Sequence, residues 1–283
     1  MPDIRQDNII FPRKDFPLMC SPGKSNCAGV SLWHEILELK VVVSGSVTMM
    51  IDTETVTAAP GEVICINPFE VHSNVLVDNA VGTYHLFMLD LDFFNAVGVD
   101  TLDLRSMLLD QQLRFRNLIK NPRAAEILLR LAEESTADDA YARLAMTGLL
   151  QEFFAVLLRQ EIDADKQIPF INDRIRFYKA VEPAVVRLRD RYAEHFSGDE
   201  LAGACNLNRH HFCRVFKRAM GMTPVQYQNE CRLRIADILL KSGSMSISEI
   251  AAAVGFRDEA YFSRAYKKSR GIAPIEAKSK LSK

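Results

Sequence analysis

The stretch Cys205–Pro224, CNLNRHHFCRVFKRAMGMTP, is written again fifty residues later as Val254–Pro274, VGFRDEAYFSRAYKKSRGIAP. An internal repeat constrains a chain more than its composition does, because both copies must fold into the same local unit. At an offset of 50, Phe212 meets Phe262, Arg214 meets Arg264, Phe216 meets Tyr266, Lys217 meets Lys267, Gly221 meets Gly271 and Pro224 meets Pro274. Upstream the offset is 49, and Glu200-Leu201-Ala202 meets Glu249-Ile250-Ala251. One residue has been gained in a turn between two short helices.

Each copy reads as helix, turn, helix. Ser197-x-x-Glu200 and Ser246-x-x-Glu249 are capping boxes. Leu201 and Ala204, and Ile250, Ala253 and Val254, supply an inner face. Gly255 falls where the turn needs a positive φ, and Asn206 holds that place in the first copy. In the second helix, Phe212, Val215, Phe216 and Ala219 follow the i, i+3, i+4, i+7 pattern of a buried face. His210, Arg214 and Lys217 face away from it, with Cys213 beside them. In the later copy Phe262, Ala265 and Tyr266 turn inward, Ala260, Arg264 and Lys267 outward, and Ser263 lies at the flank. Gly221 and Gly271 terminate these helices. Between the copies, Thr223, Pro224 and Gln226 start a longer helix that ends near Ser242-Gly243. Val225, Tyr227, Leu233, Ala236, Ile238 and Leu239 are its candidates for burial, and the helix would act as a spacer.

Two rigidly linked units of this kind can set two helices in successive major grooves, roughly 34 Å apart. An outward arginine there can donate to guanine O6 and N7, which makes Arg214 and Arg264 the sharpest candidates; a phosphate contact is the plainer alternative. Arg209 and His210 are in reach of bases or phosphates. Glu259 can accept from cytosine N4 or exclude other bases. Lys217, Arg218, Lys267 and Lys268 suit phosphates, which set affinity rather than sequence. Charge agrees: residues 197–283 hold 15 Lys+Arg against 8 Asp+Glu, a net +7, while residues 1–196 sum to −8. A basic segment is the electrostatic footprint expected for double-stranded DNA.

These residues resemble the AraC/XylS family of transcriptional regulators. The resemblance covers about residues 197–279 and rests on SISEIAAAVGFRDEAYFSRAYKKSRGIAP and, more loosely, GDELAGACNLNRHHFCRVFKRAMGMTPVQYQNECRLRIADILL. It implies a seven-helix DNA-binding domain whose first helix falls near residues 180–193. It also implies that His210, Cys213 and Arg214, and Ala260, Ser263 and Arg264, face the bases, although Cys213 and Ala260 are small and make weak readers.

Residues 30–95 have a different texture. LELKVVVSGSVTMMID, ETVTAAPGEVICINPF and TYHLFMLDL are β-rich runs broken by turn residues, which suggests an all-β barrel. This stretch resembles a cupin, a small jelly roll. His34, Glu38 and Gly45 match its first motif, with Leu32 in place of one histidine; Gly61, Pro68 and His72 match its second. The resemblance implies that His34, Glu38 and His72 are three of the four positions that hold metal in cupin enzymes, a donor set that suits zinc, iron or nickel. With Leu32 lacking a donor, the expectation is no metal and no cofactor. The same side chains would instead bind a small polar effector, a sugar or an organic acid, or else stand as structural remnants. Strand alternation sets Leu32, His34, Ile36 and Glu38 on one face. Tyr84 and His85 follow on a later strand, where one of them can enter the pocket.

Residues 102–160 turn helical, and Leu144, Leu149, Phe153, Val156 and Leu157 form a seam that serves either a homodimer, as the resemblance implies, or packing onto the barrel. Glu161–Pro169 reads as the connection between domains. The expected division is a sensor domain at 1–162, a linker at 163–171 and a DNA-binding domain at 172–283. The fold class expected is α+β in two domains, a cupin-like jelly-roll barrel with helices followed by an all-α domain with two helix-turn-helix motifs. The six cysteines form no C-x-x-C pair and are expected reduced. No apolar run approaches membrane length and the first residues carry no signal-peptide pattern, so a cytoplasmic location is expected. The functional expectation is a ligand-responsive DNA-binding regulator and no enzyme. As in most of the resembled family it would be an activator, with RNA polymerase as a partner. The alternatives are a regulator with an empty barrel, controlled by a partner protein or by abundance, and a metal-dependent cupin enzyme.

Overall fold

The computed structural model describes residues 5–6, 18–25, 31–76, 81–96, 103–137, 139, 141–163, 173–243 and 245–281. Most of the expected linker and of residues 1–25 lies outside them. The chain divides into two compact units, Met1–Ile171 and Asn172–Lys283.

The first unit contains β1 (Arg5–Gln6), β2 (Leu18–Ser25), β3 (Leu32–Trp33), β4 (Leu37–Ser44), β5 (Val47–Ile51), β6 (Glu54–Ala58), β7 (Val63–Ile66), β8 (His72–Asn74) and β9 (Gly82–Leu89). After these come α1 (Phe93–Ala96), α2 (Leu104–Leu109), β10 (Leu118–Ile119), α3 (Pro122–Glu134) and α4 (Ala142–Gln160). The strands form two five-stranded sheets, in the orders β1-β3-β8-β5-β6 and β10-β7-β4-β9-β2. Val42, Val47, Met49, Ile51, Ile64, Ile66 and Tyr84 fill the space within this β-rich body. Central strand β4 is buried on both faces from Leu37 to Val42, which is why LELKVVV shows no clean alternation of apolar and polar residues.

One expectation fails here. Residues 32–38 are not a continuous strand: β3 pairs with β8 in one sheet and β4 pairs with β7 and β9 in the other. The chain changes sheets at residues 34–36, so His34 sits at a corner rather than two pleats along from Glu38. The helical seam also divides. Leu149, Phe153, Val156 and Leu157 are buried within their own unit, with Phe154 stacked edge-on against Phe94 at 4.6 Å, while Leu144 is 75% exposed.

The second unit is all helix: α5 (Asp173–Asp190), α6 (Gly198–Ala204), α7 (Arg209–Met220), α8 (Pro224–Ser242), α9 (Ile247–Ala253), α10 (Glu259–Arg270) and α11 (Pro274–Leu281). The first of these seven begins and ends earlier than expected, because Ile175, Tyr178, Val181, Val185 and Leu188 continue a buried stripe through Pro183. Both capping boxes form, as does the third at Thr223 and Gln226. Asn206 and Gly255 carry positive φ, and Leu207 N and Phe256 N donate to Ala202 O and Ala251 O in matching turns.

Several inner-face assignments shift, and Ile238 and Leu239 of α8 are half-buried rather than buried. In α6 and α9 the buried alanines are Ala202 and Ala251, while Ala204 is half-buried and Ala253 exposed. Val225 is 66% exposed. A single stripe does not describe α8, because it serves two cores in turn. Tyr227 meets Phe216 with ring centroids 5.8 Å apart, and further along Leu233, Ala236 and Leu240 join the core of the second motif. Among the described residues no helix is long and apolar enough to cross a membrane.

Candidate nucleic-acid interface and barrel cluster

The helices α7 and α10 are 12 residues each and are framed alike. Asn208 Oδ1 accepts from His211 N at 2.9 Å, and Asp258 Oδ1 accepts from Tyr261 N at 2.6 Å. Gly221 and Gly271 close them in the left-handed conformation. Phe212, Val215, Phe216 and Ala219 are buried, and so are Phe262 and Tyr266. That leaves Arg209, His210, Cys213, Arg214, Lys217 and Arg218 exposed on α7, and Glu259, Ala260, Arg264, Lys267 and Lys268 exposed on α10; Ser263 is half-buried. Some of these have local partners. Arg209 Nη1 lies 3.3 Å from Asp199 Oδ2, Arg214 Nη2 donates to His211 Nδ1 at 3.0 Å, and the Arg218 guanidinium stacks 4.1 Å from the Phe177 ring centroid.

Two features of this face escaped the periodicity. Arg270, on α10, donates to Asp237 at 2.9 Å and to Glu230 at 2.8 Å, tying α10 to the spacer. Burial opposes its charge, but the two carboxylates outweigh burial and hold its pKa above the ordinary value. Beside it, a groove of about 510 Å³ runs between α8 and α10, lined by Val225, Asn229 and Leu233 on one side and Tyr261, Arg264 and Lys268 on the other. The spacer α8 has 19 residues, and at 1.5 Å per residue is about 28 Å long.

Inside the barrel, His34, Glu38 and His72 come together despite the corner at 34–36. Glu38 Oε2 accepts from His34 Nε2 at 2.9 Å and lies 3.6 Å from His72 Nε2; the two imidazole centroids are 4.8 Å apart. His72 Nδ1 donates to Glu70 O at 3.1 Å, which turns Nε2 toward the carboxylate. The other carboxylate oxygen, Oε1, meets Lys40 Nζ at 2.9 Å. Lys40 is only 4% exposed; its Nζ also touches Met49 Sδ at 3.2 Å and lies 5.2 Å from the Tyr84 ring centroid. Lys40 was missed because the motif directs attention to histidines. Strand alternation sets a lysine two residues from Glu38 on the same face, but its burial shows only once the carboxylate partner is placed. Asn74 Oδ1, two residues along β8 from His72, is buried without a donor.

Tyr84 is buried in this interior, whereas its neighbour His85 is half-buried and on the opposite face of β9. Of the two, only Tyr84 joins the cluster. Burial would raise the Glu38 pKa, but Lys40 and the hydrogen bond from His34 outweigh it and hold the carboxyl below its ordinary range. Burial pushes His72 down to about 4. The ligand atoms of His34, Glu38 and His72 lie within 4.8 Å of one another, close enough to hold a metal ion. Lys40 already balances the carboxylate, however, and Leu32 offers no fourth donor, so this set suits a hydrogen-bonded polar group better than a dication. Of the described cysteines, Cys65 and Cys231 are buried and Cys213 exposed. Burial pushes the Cys231 thiol up to about 12.

Residues 32–154 match the AraC-like ligand binding domain, and residues 201–280 match a helix-turn-helix domain. The chain belongs to the AraC family of transcriptional regulators. Its whole length aligns with an uncharacterized helix-turn-helix-type regulator, YisR, of Bacillus subtilis, 22% identical over 97% of this chain and 98% of the relative. The lactose operon transcription activator of Staphylococcus xylosus is 23% identical over 64% of this chain and 56% of its own. Among solved structures, unsaturated fatty acid bound ToxT from Vibrio cholerae superposes with a TM-score of 0.53 at 16% identity, covering 92% of this chain and 94% of that one. At that identity the likeness speaks for the fold alone. An AraC-family chain with these two parts is a DNA-binding transcriptional regulator whose N-terminal half is a ligand-binding domain.

Proposed function

We propose that this regulator is a cytoplasmic activator that reads two adjacent DNA segments with α7 and α10, under the control of a small polar effector in its barrel. The observation that carries the effector site is the buried cluster of Glu38, Lys40, His34 and His72. Polar groups taken from water into an apolar core are costly unless paired, and Asn74 Oδ1, two residues from His72 on β8, is buried without a partner. Glu38 and Lys40 cancel in charge and together offer acceptors and donors, which favours a neutral polyhydroxyl ligand such as a sugar. The name of the lactose operon relative agrees with a sugar and with activation. An organic acid is the second reading, favoured by Lys40 and Tyr84 beside it, and ToxT with its fatty acid is a precedent of that chemistry. Binding must favour one arrangement of the protein over another, or no control results. The barrel binds and does no catalysis.

On the DNA side, Arg209, His210, Cys213, Arg214, Glu259, Ala260, Ser263 and Arg264 are assigned to the bases, with Arg214 and Arg264 the principal readers. Lys217, Arg218, Lys267 and Lys268 are assigned to phosphates. The protein acts as a homodimer through the α3–α4 side of the barrel, and as an activator it contacts RNA polymerase.

The test is thermal melting of the full chain against panels of sugars and organic acids, with chelator present. A ligand at 100 times its Kd adds about 2.7 kcal/mol to the domain it binds. A hit that survives chelator and disappears in Lys40→Met and Glu38→Gln supports the site. A hit that requires added metal, or one indifferent to both substitutions, sinks it.

A further inference from the structure

Residues 191–196 connect α5 to α6 and precede the first helix-turn-helix. Three later parts of the chain grip this connection. Gln228 Nε2 donates to Tyr192 O at 3.1 Å and to Glu194 O at 2.6 Å. Arg232, one turn further along α8, reaches the same two carbonyls, from Nε to Tyr192 O at 2.8 Å and from Nη2 to Glu194 O at 2.9 Å. The turn of the second motif closes from the other side. A Cβ on Gly255 would fall 2.3 Å from Ala193 O, and Arg257 Nε donates to His195 Nε2 at 3.1 Å. Arg232 bridges the two sides, for its guanidinium also lies 5.5 Å from the ring centroid of Phe256. The side chain of Tyr192 packs against the second motif's core.

Arg232 is 4% exposed, and its hydrogen bonds here go to carbonyls rather than carboxylates. A buried cation held this way is an expensive means of joining two helices, and apolar residues would serve stability as well. What apolar residues would lack is direction. Guanidinium and amide together fix two carbonyls from two points on α8, and so fix the angle between that helix and the connection before α6.

We infer that Arg232, seconded by Gln228, is a positioning residue for DNA reading. It sets the angle between α7 and α10, and hence the one spacing of base clusters that the regulator accepts. This rests on the proposal that both helices enter DNA. With the grip released, the second motif can rock about α8, and operators with altered spacing become acceptable.

The experiment is selection of bound sequences from a random pool of DNA duplexes by the full chain, followed by affinity measurements. Wild type is expected to select two base clusters at one spacing, with one inserted base pair lowering affinity about tenfold or more. Arg232→Met is expected to select the same two clusters over two or three spacings, the inserted base pair now costing about threefold or less. Arg232→Lys should lie between. If Arg232→Met does not fold, Gln228→Leu, which leaves the cation in place, carries the same comparison. A variant that keeps the single spacing and the tenfold penalty overturns the inference. A wild type that selects one base cluster instead overturns the two-helix reading, and the inference with it.

Discussion

Asn206 and Gly255 share one backbone conformation in the two copies, with φ of +54° and +87°. Their surroundings differ. A Cβ at Gly255 would lie 2.3 Å from Ala193 O, a backbone atom that cannot step aside. Gly255→Ala therefore meets both left-handed strain and a clash, and should destabilise the helical unit by at least about 2 kcal/mol. Asn206→Gly should stay within about 0.5 kcal/mol of wild type. Far-UV circular dichroism during urea unfolding separates the two, since Trp33 reports only on the barrel.

Lys40 and Glu38 hold each other's charge inside the barrel. Removing one partner of a buried pair costs about 3 kcal/mol or more, because the other is left uncompensated. Lys40→Met should lower the barrel's melting temperature by that measure, and Lys40→Met with Glu38→Gln should regain most of the loss. A double substitution as unstable as the sum of the singles refutes the coupling.

Acid should weaken the barrel through His72. Its folded pKa is pushed down to about 4, from an ordinary 6.5. The unfolded chain then takes up a proton that the folded one refuses, so the contribution is whole above pH 6.5 and lost as the pH falls toward 4. Between pH 7.5 and 5 the loss is about 2 kcal/mol. Urea midpoints across that range show it, and His72→Gln should flatten the profile.

Arg264 and Lys217 should fail differently on DNA. Arg264→Ala should relax preference at one guanine by about 1–3 kcal/mol. Lys217→Ala should weaken all sequences alike and reduce the slope of log affinity against log salt by about one. Equal discrimination by wild type and Arg264→Ala at every position removes Arg264 from base readout.

Leu144 and Tyr141 are the most exposed large apolar side chains described in the barrel unit, at 75% and 76%. If the homodimer forms there, Leu144→Arg should shift sedimentation from dimer to monomer while leaving melting unchanged. An unaltered dimer places the interface elsewhere.

The repeat made the helical unit legible because its signals are local. A serine three residues before a glutamate, or a glycine after an amphipathic run, fixes backbone whatever lies around it. Val225 was misassigned for the opposite reason: helical period says that a face exists, but α8 has two, and only tertiary packing decides where one core hands over to the next. In the barrel, His34, Glu38 and His72 were legible as a set, while the corner at 34–36 and the presence of Lys40 were not. A strand and a bend read alike over five residues, and a lysine in an apolar run looks like an edge residue until its partner is placed.

The division of labour around α7 and α10 bears on descent. Phe212 and Phe216, like Phe262 and Tyr266, hold the frame, and Arg209, His210, Cys213 and Arg214, like Glu259, Ala260 and Arg264, stand outside it. A duplicated segment built this way can change its outward letters one at a time, in one copy and not the other, and every intermediate still folds. If α7 and α10 each read their own part of the operator, as proposed, half of it can drift while the other half keeps the protein at its promoter.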